Sequence, residues 1–85
     1  MIIEHSLQYL RESLSNYLEE DTMSQHIYRK LENGNYDSEN EFVVNLDEEE
    51  IDYLDAMLGR EINYAETALD DVRVKELNDI HELLS

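Results

Sequence analysis

Residues 46–66 read Leu-Asp-Glu-Glu-Glu-Ile-Asp-Tyr-Leu-Asp-Ala-Met-Leu-Gly-Arg-Glu-Ile-Asn-Tyr-Ala-Glu. The stretch carries its own start signal. Asp47 stands where a helix N-cap accepts a backbone N–H, and Glu50, three residues on, completes a capping box. Leu46 and Ile51 occupy the two positions of a hydrophobic staple. Glu48, Glu49 and Glu50 lie where the helix dipole favours negative charge. Ile51, Leu54, Leu58, Ile62 and Ala65 then recur every three or four residues. The spacing predicts a helix over 48–66 with this stripe turned to the core.

Helical composition continues beyond it through Val72, Val74, Leu77, Ile80, His81 and Leu84. The apolar phase slips, because continuing the first stripe would place Glu76 in the core. A turn near 67–71, with Thr67 or Asp70 as the next cap, gives a second helix over 70–84 and an antiparallel hairpin. With neither Gly nor Pro here, one long helix is the alternative. Upstream, Ile3, Leu7, Leu10, Leu14 and Leu18 predict a helix over 3–20. After a slip near Glu19-Glu20-Asp21-Thr22, Met23, Ile27 and Leu31 predict another over 22–33. Asp21 or Thr22 caps it, and Gly34 ends it in the left-handed conformation glycine favours. Residues 33–40 are rich in turn formers. Glu41-Phe42-Val43-Val44-Asn45-Leu46 has strand character but no comparable strand to pair with, so 41–46 is expected as an extended segment. The predicted architecture is all-α: one domain over 1–85, a small bundle of three or four helices with a C-terminal hairpin and one extended strap.

Composition narrows the function. Eighty-five residues leave little core to spend on a deep cleft. No apolar run is long enough to span a bilayer, and Met1-Ile2-Ile3-Glu4-His5 lacks the regions of a secretory signal. With no cysteine, disulfides and thiolate metal sites are excluded; the expected location is cytoplasmic. Six basic residues face 22 acidic ones, for a formal net charge of −16 at pH 7. That balance disfavours direct nucleic-acid binding, which needs cations to displace counterions from phosphate, and disfavours anionic membranes. The partner it suits is a basic, nucleic-acid-binding protein.

Chemistry-bearing motifs are missing. Gly34 and Gly59 stand too far apart for a phosphate loop or dinucleotide fingerprint, and no serine sits in a nucleophile elbow. The residues three before His5, His26 and His81 are Ile2, Met23 and Asn78, so no Glu-x-x-His di-iron pair exists. Asp47–Asp52 has no glycine for a calcium loop. No cofactor, metal or catalytic residue is expected, and the protein is read as a non-enzyme.

Binding is expected where acid gathers. Between Lys30 and Arg60 there is no basic residue. At 100° per residue Glu48, Asp52, Asp55 and Glu66 fall within a narrow arc of the 48–66 helix, extended by Asp47. These five form the expected partner-binding face, against the alternative of an ordinary solvated surface. Tyr53, Met57 and Tyr64 make a flanking apolar stripe, a candidate dimer or adaptor face; a homodimer that completes the small core is one outcome.

Glu48-Glu49-Glu50 followed by Leu54, Leu58 and Tyr64-Ala65 resembles the start of AbbA-type antirepressors of spore-forming bacteria. The resemblance covers about 18 of the 85 residues and implies a small acidic helical hairpin that occupies a repressor's DNA-binding surface. The expected function is thus an acidic regulator that antagonises a basic nucleic-acid-binding partner, as an antirepressor or nucleic-acid mimic. The alternatives are an immunity protein or antitoxin against a nuclease toxin, and a structural adaptor using the Tyr/Met face.

Overall fold

The computed structural model describes residues 5–34 and 36–84, and they form five helices: α1 (His5–Ser15), α2 (Thr22–Asn33), α3 (Glu39–Val43), α4 (Glu48–Thr67) and α5 (Asp71–Leu83). Every expected helix is present, and the fold is all-α. The core gathers one face of each: Leu7, Leu10 and Leu14 of α1, Ile27 and Leu31 of α2, Phe42 of α3, Leu54, Met57 and Leu58 of α4, and Leu77 and Ile80 of α5, with Leu46 between α3 and α4. Burying each such side chain contributes about 1.5–3 kcal/mol before chain entropy is charged against it.

The hairpin forms around α4 and α5. α4 ends in a Schellman motif: the Asp70 N–H reaches the Ala65 carbonyl at 2.9 Å and the Leu69 N–H reaches Glu66 at 3.1 Å. Leu69 takes the left-handed position, at φ 58°, where a Cβ is unfavourable and glycine is usual, and it stands 85% exposed. Asp70 then caps α5, its side chain accepting the Arg73 N–H at 3.2 Å. Asp55 and His81 meet at 2.9 Å. They lie nearly equidistant in sequence from the turn, as antiparallel packing requires.

α1 is shorter than the expected 3–20. Residues 3–4 lie outside the described residues. At the other end, the Leu14 carbonyl accepts the Tyr17 N–H at 3.0 Å and the Ser24 hydroxyl at 2.9 Å. The chain tightens into turns at 16–20 and Asp21 caps α2, accepting the Met23 N–H at 3.0 Å. Gly34 does end α2, but at φ −94°, so handedness is not why glycine stands there. The Tyr36 ring lies where a Cβ would project, and its hydroxyl donates to the Lys30 carbonyl at 3.2 Å.

The expected extended segment at 41–46 is corrected to helix and turn. An unpaired strand would leave its N–H and C=O groups without partners, and a single helical turn satisfies them locally. Ser38 caps α3, accepting the Glu41 N–H at 3.3 Å, while Glu41 accepts the Asp37 N–H at 2.9 Å. The Val44 N–H reaches Asn40 at 3.0 Å and the Leu46 N–H reaches Val43 at 3.1 Å. Phe42 is thereby driven into the core, edge-on to Tyr36 with ring centroids 5.2 Å apart.

Candidate functional site

α4 carries both surfaces expected to bind. Its capping box is complete: Asp47 Oδ1 accepts the Glu50 N–H at 2.8 Å, and Glu50 Oε1 accepts the Asp47 N–H at 2.8 Å. Asp47 is therefore occupied in starting the helix. Glu48, Asp52, Asp55 and Glu66 are all exposed on α4. Asp55 is drawn into the hairpin by His81, which leaves the acidic row interrupted at its middle.

The flanking stripe does not exist as one surface. Met57 is fully buried, Tyr53 is half-buried and Tyr64 is 65% exposed. α4 packs against both α5 and α2, so the flank that a lone helix would expose is covered by neighbours. The Tyr53 hydroxyl is buried without an aligned hydrogen bond, and burial raises its pKa above the ordinary phenol value. An adaptor face built from Tyr53, Met57 and Tyr64 is thereby corrected.

Sequence reasoning missed the residue at the centre. Glu50 does more than close a capping box: it is 1% exposed. Its Oε1 also accepts from Lys30 Nζ of α2 at 2.8 Å, and Lys30 donates in addition to the Asn45 carbonyl at 2.9 Å. His26 Nε2 lies 3.0 Å from Oε2 but is not aligned as a hydrogen bond, so that buried oxygen lacks an aligned donor. A recess of about 480 Å³ opens beside it, lined by Thr22, Met23 and His26 from the first turns of α2 and by Asp47, Glu49 and Glu50 from the start of α4. Among the described residues, no group of three or more His, Asp or Glu side chains is placed to hold a metal.

The scarce cations follow one pattern: four of the six tie separate segments together. Lys30 joins α2 to α4. Arg11 of α1 pairs with Glu32 of α2 and lies 5.6 Å from the Tyr28 ring centroid. Arg73 of α5 pairs with Glu12 of α1 at 3.0 Å, stacks 5.3 Å from the Tyr9 ring and reaches Asp70 at 3.4 Å. Arg60 of α4 stacks 5.6 Å from Tyr17, whose hydroxyl donates to Glu61 at 3.0 Å. Each exposed cation–π contact contributes about 0.5–1 kcal/mol. Lys75 pairs within α5, with Asp79 at 3.2 Å. The acid is placed with equal economy. Asp21, Asp47 and Asp70 are N-caps, and Glu39, Glu41, Glu48, Glu49, Glu50 and Asp71 sit in first turns.

Comparison with known proteins gives the chain its relatives. The family CsgA, described as "Minor curli fiber component A", matches residues 3–85. A protein of Bacillus subtilis (strain 168) titled "Sigma-G-dependent sporulation-specific SASP protein" is 47% identical over 79 residues, covering 93% of this chain and 95% of that protein. No solved structure matches. Neither finding concerns the AbbA-type antirepressors that the start of α4 resembles.

That relative overturns the expected function. A sporulation-specific SASP protein is not an antirepressor, and the readings as regulator, inhibitor or nucleic-acid mimic are withdrawn. The basic protein partner and the exclusion of direct nucleic-acid contact fall with them. Uncompensated acid is not by itself a recognition device, because net charge informs solubility first. Here much of the acid caps helices, and most of the base is consumed between them. A match over nearly the whole chain, together with a relative aligned almost end to end, places this chain in the CsgA family, alongside the sigma-G-dependent sporulation-specific SASP protein of B. subtilis.

Proposed function

We propose that this chain is a sporulation-specific small acid-soluble protein, made under sigma-G control, resident in the cytoplasm and without catalytic activity. One observation carries the reading: 47% identity to the B. subtilis protein across 93% of this chain and 95% of the relative. No helix among the described residues is long and apolar enough to cross a membrane.

Solubility in acid follows from the charges. The sequence pI is about 4.2, and there the protein loses the repulsion that keeps copies apart. Below the carboxylate range all 22 acidic side chains are neutral, while six Lys and Arg and three protonated His leave nine positive charges. Acid also discharges Glu32, whose carboxyl Arg11 holds below the usual carboxylate range, and with it the tie between α1 and α2; nine like charges without a counter-charge then favour the unfolded chain. The test is a solubility profile from pH 7 to pH 2 with circular dichroism at each step. The protein should precipitate near pH 4 and return to solution unfolded at pH 2. An aggregate that persists at pH 2 contradicts the acid-soluble assignment.

A further inference from the structure

We propose that the Asn33–Gly34 peptide, where α2 ends, is a site of spontaneous deamidation, and that Tyr36 both fixes the pair and restrains its reaction. Asn33 is the last residue of α2 and is exposed. In the reaction the Gly34 nitrogen loses its proton to solvent base and attacks Cγ of Asn33. The N–Cγ bond forms, the Cγ–Nδ2 bond breaks, and ammonia leaves after taking a proton from water. One water molecule then opens the five-membered imide. Opening on the Cγ side gives aspartate at position 33; opening on the main-chain side gives isoaspartate, whose backbone runs through the side chain. In sum, one water is consumed, one ammonia is released, and a neutral amide becomes a carboxylate. The attack is easiest where the following residue has no Cβ to obstruct it.

Packing is what requires glycine at 34. A Cβ there would run into the Tyr36 ring, and the ring has no easy retreat. Its hydroxyl donates to the Lys30 carbonyl at 3.2 Å, and it meets the buried Phe42 edge-on. The contact that seats Tyr36 therefore leaves Asn33 beside the one residue type that does not shield it. The same contacts slow the attack. The Gly34 N–H is held by the Lys30 carbonyl at 3.2 Å, so the nitrogen is released only when the last turn of α2 opens. Once formed, isoaspartate lengthens the main chain by one carbon and carries the Gly34 N–H away from that carbonyl. The new carboxylate also stands at the C-terminal end of α2, where the helix dipole disfavours negative charge. The mark is irreversible and loosens the connection from α2 to the helix that seats Phe42.

The whole protein is held at mildly alkaline pH for several weeks and sampled by peptide mapping in a mass spectrometer. A mass gain of about 1 Da should appear at Asn33, with isoaspartate as the main product. It should form about tenfold faster than at Asn63, which is exposed within α4 but has a Cβ after it and a continuing helix around it. Tyr36→Phe keeps the ring and removes only its hydrogen bond to Lys30, and should speed the reaction about fivefold, the weight of one such bond. Asn33→Gln, which would need a larger imide ring, should stay unmodified at that position. The aged parent should melt below the fresh protein, and aged Asn33→Gln should not. Asn33 reacting no faster than Asn63, an unchanged rate in Tyr36→Phe, or an equal fall in melting midpoint for aged Asn33→Gln would each overturn the proposal.

Discussion

Phe42→Ala should lower the free energy of unfolding by about 3–5 kcal/mol, the usual cost of emptying a fully buried aromatic position. Phe42 is the only buried residue of α3, a helix of five residues. No helix that short persists alone in water, so α3 exists because its one aromatic is seated in the core against Tyr36. Removing the ring deletes the anchor as well as the contact area, and the whole 36–46 connection loses its fixed position. The midpoint of thermal unfolding should fall by roughly 12–40 °C, given about 4–8 °C per kcal/mol for a domain of this size. Phe42→Leu should recover more than half of the loss, because volume and hydrophobicity are largely kept. A Phe42→Ala protein that melts within a few degrees of the parent would show that α3 is not anchored in this way.

Glu50→Ala should cost about 2–4 kcal/mol, measured by urea denaturation. Two separate losses add. Half of the capping box goes, worth about 1 kcal/mol, and Lys30 is left partly buried opposite an apolar gap. Removing one member of a buried pair typically costs 3–5 kcal/mol; the Lys30 side chain is 27% exposed, so water relieves part of that. Glu50→Gln separates the two losses, since Gln also serves at the third position of a capping box but offers Lys30 only a neutral amide oxygen. It should fall between the parent and Glu50→Ala. In a double-mutant cycle, Lys30→Met should destabilise much less in the Glu50→Ala background than in the parent. Additive effects would mean that Lys30 and Glu50 do not act as a pair.

These two residues also mark how far the sequence could be read. Glu50 was legible as a capping residue because that interaction is local, spanning three positions. Its burial was not legible, because it is produced by Lys30 and His26 folding across from another helix. Phe42 was misread for a related reason: aromatic and β-branched composition is seen locally, while a strand needs a distant partner to exist. A correcting signal lies just upstream in Ser38-Glu39-Asn40-Glu41, which has the spacing of a helix start. α4 and α5 were read nearly to the residue, since cap, stripe and phase slip all lie within each segment. α1 ended early because the Leu14 carbonyl is taken by Ser24, a contact no periodicity encodes.

The acidic face shows a different limit. Glu48, Asp52 and Glu66 stand exposed on one helix. Their role was inferred from a count of charges, and counting does not reveal that Arg11, Lys30, Arg60 and Arg73 are spent holding segments together. A negative surface is what remains after that use. The proposed time of synthesis rests on kinship and has no counterpart in any surface patch.

Following the protein by immunoblot through growth and sporulation in its own organism, with and without an active sigma-G factor, tests the functional assignment most directly. The protein should be absent from growing cells, appear once sigma-G is active, and be missing when that factor is deleted. Equal amounts in growing cells and in cells lacking sigma-G would contradict it.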